Sequence, residues 1–190
     1  ALSELLPFHH DDKQRGLTGV HPISGILCGV RKLAITDRSR LIIRVARDRV
    51  ADYLELCEKR LEIGDSSILV GVPSSRSLVP AAALWSRLVT IKGFTSPPEF
   101  LDAAQRQIAD LGIEGKARLL FRKGVSSKEG KTDNLAKSPF VKRTLNIRGR
   151  EVVGFSLVVD ELTAEESLEL QMAGLGGRRS MGCGIFLPAL

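Results

Sequence analysis

A glycine-rich segment near the C-terminus constrains the fold of this chain more than any other feature. Its sequence is Gly174-Leu175-Gly176-Gly177-Arg178-Arg179-Ser180-Met181-Gly182-Cys183-Gly184-Ile185-Phe186, with five glycines. The pattern predicts a helix before it, from Thr163 to position 173, and a short strand after it, at 185–187. Because glycine lacks a Cβ, this backbone can turn tightly and approach another backbone or a ligand closely.

The order helix, glycines, strand excludes the common nucleotide-binding motifs. P-loops and dinucleotide-binding turns follow a strand and open a helix, and the segment contains no Gly-Lys-Ser or Gly-Lys-Thr. Its amides can instead form an anion-binding nest, with charge-assisted hydrogen bonds from two arginines. The alternative is a helix-to-strand crossover that needs glycine only for steric reasons, which leaves the arginines without a role. We therefore predict phosphate contacts from the central residues: Gly176, Gly177, Arg178, Arg179 and Ser180.

Apolar periodicity and turn residues divide the chain into two halves of similar plan. The first half contains a helix that stops at Pro7, strands at 26–35 and 41–46, a helix at 48–60 and a buried strand at 68–72. The second half contains strands at 84–92, 117–122, 141–148, 151–159 and 185–187, with helices between 96 and 112 and from Thr163 to 173.

These elements predict the α+β fold class, with two tandem ferredoxin-like (βαββαβ) domains at 1–83 and 84–190. We interpret the second half as the β-α-β-β-α-β order of that fold, although it contains five predicted strands rather than four. The first half has the same order without its opening strand, so we expect further residues before Ala1.

The charge of the chain is concentrated in one region. The net charge is +6, yet Lys116 to Arg150 carries eleven basic residues against Glu129 and Asp133, which leaves the remainder at −3. A basic island on a slightly acidic chain is typical of a surface that binds a polyanion such as nucleic acid. The alternative is a solvated face without a ligand.

Other residue patterns exclude several classes of protein. Cys28, Cys57 and Cys183 are far apart in sequence, so we predict buried free thiols in a reducing compartment. With few cysteines, three histidines and no His-Glu-x-x-His motif, we expect neither a metal nor a cofactor. No apolar run approaches the roughly 20 residues that span a bilayer, and no export signal begins the chain. We therefore expect no membrane partner and a cytoplasmic location.

The motif Gly-Leu-Gly-x-Arg-Arg-x-x-Gly-Cys-Gly-Ile-Phe, between a helix and the final strand, resembles the C-terminal glycine-rich loop of the RAMP superfamily of CRISPR-associated proteins. Within it, the likeness is to the endoribonucleases that trim CRISPR precursor RNA at its repeats. The segment Val20-His21-Pro22-Ile23 adds to the resemblance, as do the paired halves and the basic second half. The resemblance implies a protein that binds hairpin repeat RNA or crRNA, together with other subunits of an effector complex.

The resemblance also implies cleavage without a metal. The 2′-OH next to the scissile phosphate attacks the phosphorus, and the products are a 2′,3′-cyclic phosphate and a 5′-hydroxyl. Histidine suits the proton transfer because its unperturbed pKa, about 6.5, lies near the working pH. We predict His21 as this residue because Pro22 restrains it toward an extended conformation. His9 and His10 are the alternatives, and Ser24 is a candidate donor to a phosphate oxygen.

Basic and polar residues of the second half are the predicted RNA contacts. Aromatic residues make up 5% of the chain and none form an aromatic strand motif, so base stacking on an open sheet is disfavoured. Instead we predict backbone contacts to a hairpin stem from a basic loop and from the strand that follows it. These contacts are Lys123, Lys128, Lys131, Lys137, Lys142, Arg143, Thr144, Asn146 and Arg148.

Two other functions fit parts of the sequence. A non-catalytic RAMP subunit that holds guide RNA would share the fold, the glycine segment and the basic face. A ferredoxin-like enzyme for a small molecule or acyl phosphate would use the glycine segment as its anion cradle. The basic island disfavours this second alternative.

Overall fold

The computed structural model describes residues 2–6, 18–29, 32–122, 139–147 and 149–189. The chain forms two compact units, Ala1–Ser77 and Leu78–Leu190. Residues 78–83 pack with the second unit, since Gln171 Nε2 donates to Val79 O at 2.9 Å and Ala81 N donates to Ser167 Oγ at 2.9 Å.

The second unit is built on an antiparallel sheet. Its order is β11-β7-β10-β8, and β9 pairs with β10 beyond the end of β7. The strands are β7 (Leu84–Val89), β8 (Lys116–Leu119), β9 (Lys142–Ile147), β10 (Arg150–Asp160) and β11 (Leu187–Pro188).

Two helices cover one face of this sheet, α3 (Pro97–Asp110) and α4 (Ala164–Ala173). Phe100 of α3 packs on Phe155 of β10 with ring centroids 4.9 Å apart, and both rings are fully buried. Alternate residues of the strands complete this core, because successive strand side chains point to opposite faces. The core includes Leu84, Val89, Ala104, Ile108, Leu119, Leu157, Val159 and Leu170.

Both predicted helix starts are present, with different chemistry. Thr163 forms a full capping box with Glu166: the Thr163 hydroxyl accepts from Glu166 N at 3.2 Å, and the Glu166 carboxylate accepts from Thr163 N at 2.8 Å. At α3, the Ser96 hydroxyl instead donates to the Glu99 carboxylate at 2.6 Å, and Ser96 forms no side-chain cap. Gly112, at φ +74°, follows the end of α3 as its sequence position predicts.

The hairpin of β9 and β10 projects beyond the rest of the sheet. Phe155 pairs with Val89, the last residue of β7, whereas Arg150 to Gly154 pair only with β9. Strand β7 ends earlier than the predicted 84–92, and just beyond it the carbonyl of Thr90 accepts from Gly177 N at 3.0 Å. The glycine-rich segment therefore lies where β7 would otherwise have continued beside the hairpin.

The first unit consists of short elements that form three separate strand pairs. Strand β1 pairs with β4, β2 with β3, and β5 with β6, all antiparallel. The elements are α1 (Leu2–Leu5), β1 (Gly19–Val20), β2 (Ile26–Gly29), β3 (Lys32–Ala34), β4 (Ile43–Arg44), a 3-10 turn (Arg47–Arg49), α2 (Val50–Leu54), β5 (Arg60–Ile63) and β6 (Ser66–Leu69).

Several predictions for this half were wrong. The single strand at 26–35 is a hairpin, because Gly29 pairs with Lys32 and Ile26 with Ala34. The helix at 48–60 ends at Leu54, and residues 60–63 form a strand against β6. An apolar run cannot distinguish one long strand from two short ones, and Gly29 was the missed turn signal.

The predicted burial was wrong as well. Leu69 is 64% exposed and Val72 is 89% exposed, although 68–72 was predicted as a buried strand. All three cysteines are free, but Cys28 is exposed, Cys57 is half-buried and only Cys183 is buried. Burial depends on which elements cover a strand, and periodicity within one segment does not contain that information.

Candidate nucleic-acid interface and candidate catalytic histidine

The glycine-rich segment is held against the end of β7 by its own backbone. Gly176 N donates to Gln107 Oε1 at 3.0 Å, and Gly184 N donates to Leu88 O at 2.7 Å. Leu175 N donates to Gly184 O at 3.0 Å, which closes the loop on itself. The amides of Gly176 and Gly177, predicted to bind an anion, are thus used inside the protein.

Close packing explains why glycine occupies these positions. Gly184 has φ +63°, and a Cβ there would overlap the carbonyl oxygen of Leu175. Gly176 has φ +67°, and a Cβ there would overlap the carbonyl of Thr90. Gly177 differs, since a Cβ would meet no atom within 4 Å. Steric packing therefore accounts directly for glycine at positions 176 and 184.

The two arginines of the segment have different environments. Arg179 is half-buried and its guanidinium donates to Ala173 O, a carbonyl at the C-terminus of α4, while burial lowers its pKa. A cation here complements the helix dipole. Arg178 is exposed and has a left-handed backbone, φ 64° and ψ 36°, which costs a non-glycine residue roughly 1–3 kcal/mol. Ser180 follows in a 3-10 turn and is exposed.

An open groove separates Arg178 from the projecting hairpin. Its volume is about 420 Å³, and it is lined by Ile147, Arg150, Val152 and Arg178. Ile147 and Arg150 are register partners across the hairpin, and Val152 is on the same face of β10. Two aliphatic side chains and two arginines thus line the groove. A volume of this size lies within the roughly 300–1,000 Å³ of small-molecule sites.

A second pair of arginines continues this side of the hairpin. Arg143 Nε donates to Ser156 Oγ at 3.4 Å, and the Ser156 hydroxyl donates to Arg87 O at 2.5 Å. Partial burial and then the positive charge of Arg87 lower the pKa of Arg143, so the two guanidinium groups repel each other. In the described part of the chain, no carboxylate forms an ion pair with either arginine.

The other predicted hairpin residues lie on the opposite face of β9. Lys142, Thr144 and Asn146 are exposed, as their alternation with Leu145 and Ile147 predicts. Asn146 also supports the turn, because its Oδ1 accepts from Gly149 N at 2.9 Å. Glu151, the register partner of Asn146, adds a negative charge to that face. The predicted contacts Lys123, Lys128, Lys131, Lys137 and Arg148 lie outside the described residues.

In the first unit, His21 directly follows β1. Its amide donates to Ile42 O at 2.9 Å, and its side chain is half-buried. Burial, and then the positive charge of Arg44, lower the pKa of His21 below its usual 6.5. Arg44 is buried in the neighbouring strand β4, where it is the register partner of Gly19. His21 is therefore neutral near pH 7, the protonation state that a general base requires.

The hydroxyl of Tyr53 lies near Thr18, the residue that precedes β1. Thr18 Oγ1 is 3.5 Å from the hydroxyl of Tyr53, whose pKa is raised chiefly by burial. Arg49 Nε, nearby on the 3-10 turn, forms an ion pair with Asp52 at 3.0 Å. Sequence reasoning missed both Arg44 and Tyr53, because only the pairing of β1 with β4 and the following turn bring them to the histidine strand.

Of the other predicted catalytic residues, the structure describes Ser24. Its hydroxyl accepts from Arg40 N at 2.8 Å, and its amide donates to Arg40 O at 3.3 Å. Ser24 therefore ties two loop segments together in the first unit. His9 and His10 lie outside the described residues.

Arg87 and Arg150 are further residues that sequence reasoning missed. Arg150 is on the same face as Val152, a period-two signal that was available in the sequence. Arg87 is next to a register irregularity in the pairing of β7 with β10, for which the sequence gives no sign.

Within the described ranges, no three acidic, histidine or cysteine side chains cluster closely enough to hold a metal ion. None of the helices in this part of the chain combines the length and apolarity needed to cross a bilayer.

The family model and the curated relative that match this chain carry consistent names. A family model described as Cas6 Crispr matches residues 1–190. A protein named CRISPR-associated endonuclease Cas6, from Myxococcus xanthus (strain DK1622), is 34% identical over 188 residues, which cover 99% of this chain and 71% of that protein. A solved structure described as a Cas6-related gene product from Pyrococcus furiosus aligns over 97% of this chain and 84% of its own, with 13% identity and a TM-score of 0.49. The similarity to the Myxococcus protein extends through both units.

Proposed function

The chain belongs to the Cas6 family of CRISPR proteins, and from this premise we propose that it is an endoribonuclease that cleaves CRISPR precursor RNA within its repeats. The observation that carries the proposal is the family match over 190 residues, joined to 34% identity with a protein named as an endonuclease. A neutral, half-buried histidine in the first unit supplies the matching chemistry.

The proposed architecture is a pair of ferredoxin-like domains. The element order β7-α3-β8-β10-α4-β11 of the second unit supports it, with β9 as an added hairpin strand. The first unit carries the weaker support, because its described strands form three separate pairs.

In the proposed reaction, RNA supplies its own nucleophile. The 2′-oxygen next to the scissile phosphate forms a bond to phosphorus, and its proton passes to His21. The bond from phosphorus to the 5′-oxygen then breaks, and that oxygen takes up a proton. The products are a 2′,3′-cyclic phosphate and a 5′-hydroxyl. A positioned histidine contributes on the order of 10²–10⁴ in rate, and burial together with the Arg44 charge favours its neutral form before the transfer.

The proposed RNA surface is formed by exposed basic and polar residues of the second unit. Arg178 and Ser180 present exposed polar groups from the glycine-rich segment, and Lys142, Arg143 and Asn146 present others from β9. In this proposal Arg179 has a positioning role, because its guanidinium already binds the end of α4. The glycines of the segment keep its backbone packed on β7 and so set the position of Arg178.

Cleavage assays on repeat RNA test the reaction. Protein in excess EDTA is mixed with all-ribose repeat RNA, and separately with RNA that carries one 2′-deoxy residue at the cut site. Cleavage of the all-ribose strand alone, with a cyclic phosphate end, is expected. Cleavage that needs a metal, or that also occurs at the deoxy junction, contradicts the mechanism. Binding without cleavage of either RNA indicates the non-catalytic RNA-binding subunit instead.

A histidine variant tests the residue assignment. His21→Ala is expected to bind repeat RNA as the wild type does while its single-turnover cleavage falls by about 10²-fold or more. Ser24→Ala serves as the comparison, because its hydroxyl is occupied by Arg40 N. If His21→Ala cuts at the wild-type rate, the general base is another residue, and His9 and His10 are tested next.

A further inference from the structure

One face of the projecting hairpin combines cations with aliphatic side chains. The register pairs Ile147 with Arg150 and Arg143 with Gly154, so alternate residues of both strands share this side. We call it the arginine face, and its members are Arg143, Leu145, Ile147, Arg150, Val152, Gly154 and Ser156. Arg178 adjoins one end of it through the groove, and Arg87 adjoins the other end through Ser156.

The charges of the arginine face are uncompensated within the described chain. Arg87 and Arg143 repel each other across Ser156, and this hydroxyl holds Arg143 in place. Two other cations of the unit are paired with carboxylates: Lys116 Nζ lies 2.6 Å from Glu161, and Arg118 binds Asp160. Guanidinium groups held together without a carboxylate favour an anionic ligand. A phosphodiester is such a ligand, because its two free oxygens can accept hydrogen bonds from two N–H groups of one guanidinium.

The opposite face of the hairpin has a different character. It carries Lys142, Thr144, Asn146, Glu151 and Val153, so its described residues include one cation and one carboxylate. Charge thus distinguishes the two faces of one hairpin.

We propose that the arginine face binds an unpaired stretch of the RNA, with one base inserted in the groove against Ile147 and Val152. The phosphates on either side of that nucleotide contact Arg178 and Arg150 at one end and the Arg87–Arg143 pair at the other. This inference rests on the proposed function, because it assigns a single-stranded segment of the repeat substrate to that RNA surface.

The shape of the groove is the reason for choosing unpaired RNA. In an A-form stem the bases are stacked inside, and the protein meets phosphates and 2′-hydroxyls on a convex surface. The stacked bases of such a stem cannot reach the aliphatic side chains that line the groove. An unstacked base can instead place its flat apolar face on Ile147 and Val152 while the arginines bind its backbone.

Charge variants test the phosphate contacts. Affinity for repeat RNA is measured from low to high salt for the wild type and for the double variant Arg87→Gln/Arg143→Gln. The slope of log affinity against log salt is expected to become shallower by about 1.4, which is about 0.7 for each phosphate of a single strand. Arg106→Gln is the matched control, because Arg106 is exposed on α3, where its guanidinium lies over the Phe94 ring and outside the arginine face. A slope equal to that of the control overturns the phosphate assignment.

Abasic scanning tests the base site. Each unpaired nucleotide of the repeat RNA is replaced in turn by an abasic residue, and we expect one position where affinity falls by about tenfold. The variant Val152→Phe fills the groove, so it should bind the intact RNA about tenfold more weakly than the wild type does. Removing the base at the sensitive position should then cause no further loss of affinity in this variant. Val153→Phe makes the same change on the opposite face of β10 and is expected to retain the wild-type pattern. Far-ultraviolet circular dichroism of each variant shows that it is folded.

The outcomes separate this inference from the proposed function. One outcome is that repeat RNA is bound and cut while the affinity losses caused by abasic replacement and by Val152→Phe simply add at every position. In that case the base site is wrong, and the proposed endonuclease function is unaffected. If a blunt duplex without unpaired nucleotides competes as well as the single strand, the arginine face binds stems instead. If no repeat RNA binds at all, the proposed function itself fails.

Discussion

Replacing Gly184 by alanine should destabilise the second unit far more than the same change at Gly177. At Gly184 the φ of +63° costs an alanine roughly 1–2 kcal/mol. The added Cβ would also overlap the Leu175 carbonyl, so the loop must open. Opening weakens two hydrogen bonds, Leu175 N to Gly184 O at 3.0 Å and Gly184 N to Leu88 O at 2.7 Å, each worth about 1 kcal/mol.

The expected loss for Gly184→Ala is therefore about 3–4 kcal/mol of the free energy of unfolding. This is a large part of the roughly 5–15 kcal/mol that stabilises a typical domain. Gly177→Ala should change stability by less than about 0.5 kcal/mol, because its Cβ meets no atom within 4 Å.

Urea unfolding followed by tryptophan fluorescence measures both variants. Trp85 is the single tryptophan of the chain and lies in β7, so its signal reports the second unit. A midpoint far lower for Gly184→Ala than for Gly177→Ala, with similar m-values, supports the close packing of the loop on β7. Equal midpoints for the two variants would refute the reasoning, since the loop would then have room for a Cβ.

Three further outcomes follow from the same contacts. Thr163→Ala should lower the free energy of unfolding by about 1 kcal/mol through the lost helix cap, again measured with Trp85 fluorescence; an unchanged midpoint would contradict the capping box. The Thr163 and Glu114 amides hold the pKa of Glu166 below its ordinary value. The carboxylate therefore stabilises the fold above its unfolded-state pKa, and this stabilisation disappears as the pH falls through its folded-state pKa. In thermal melts, Glu166→Gln should make the melting temperature depend less on pH in this acidic range. Because burial and Arg44 lower the pKa of His21, cleavage should stay constant from neutral pH to below 6.5 and fall only in more acid buffer; a decline centred at 6.5 or above would argue against that environment.

Local sequence patterns predicted most of the second unit correctly. The Thr163-x-x-Glu166 box, the glycine after α3 and the alternation along β9 each depend on contacts within a few residues. Such contacts are formed by the same residues in any tertiary setting, so the pattern alone is sufficient. In the first unit the same reasoning failed at 26–35 and at 48–60. Short apolar runs there are compatible with more than one pairing, and only the assembled strands select one.

The candidate site shows the same division. The sequence determined that the chain carries a basic second half, a helix-glycine-strand motif with two arginines, and a histidine before a proline. Tertiary structure decided how each is used: Arg179 binds the end of α4, Arg178 faces a groove, and burial followed by the charge of Arg44 lowers the pKa of His21. The physical reason is that a side chain's hydrogen-bond partners, burial and neighbouring charges come from segments distant in sequence, brought together by strand pairing.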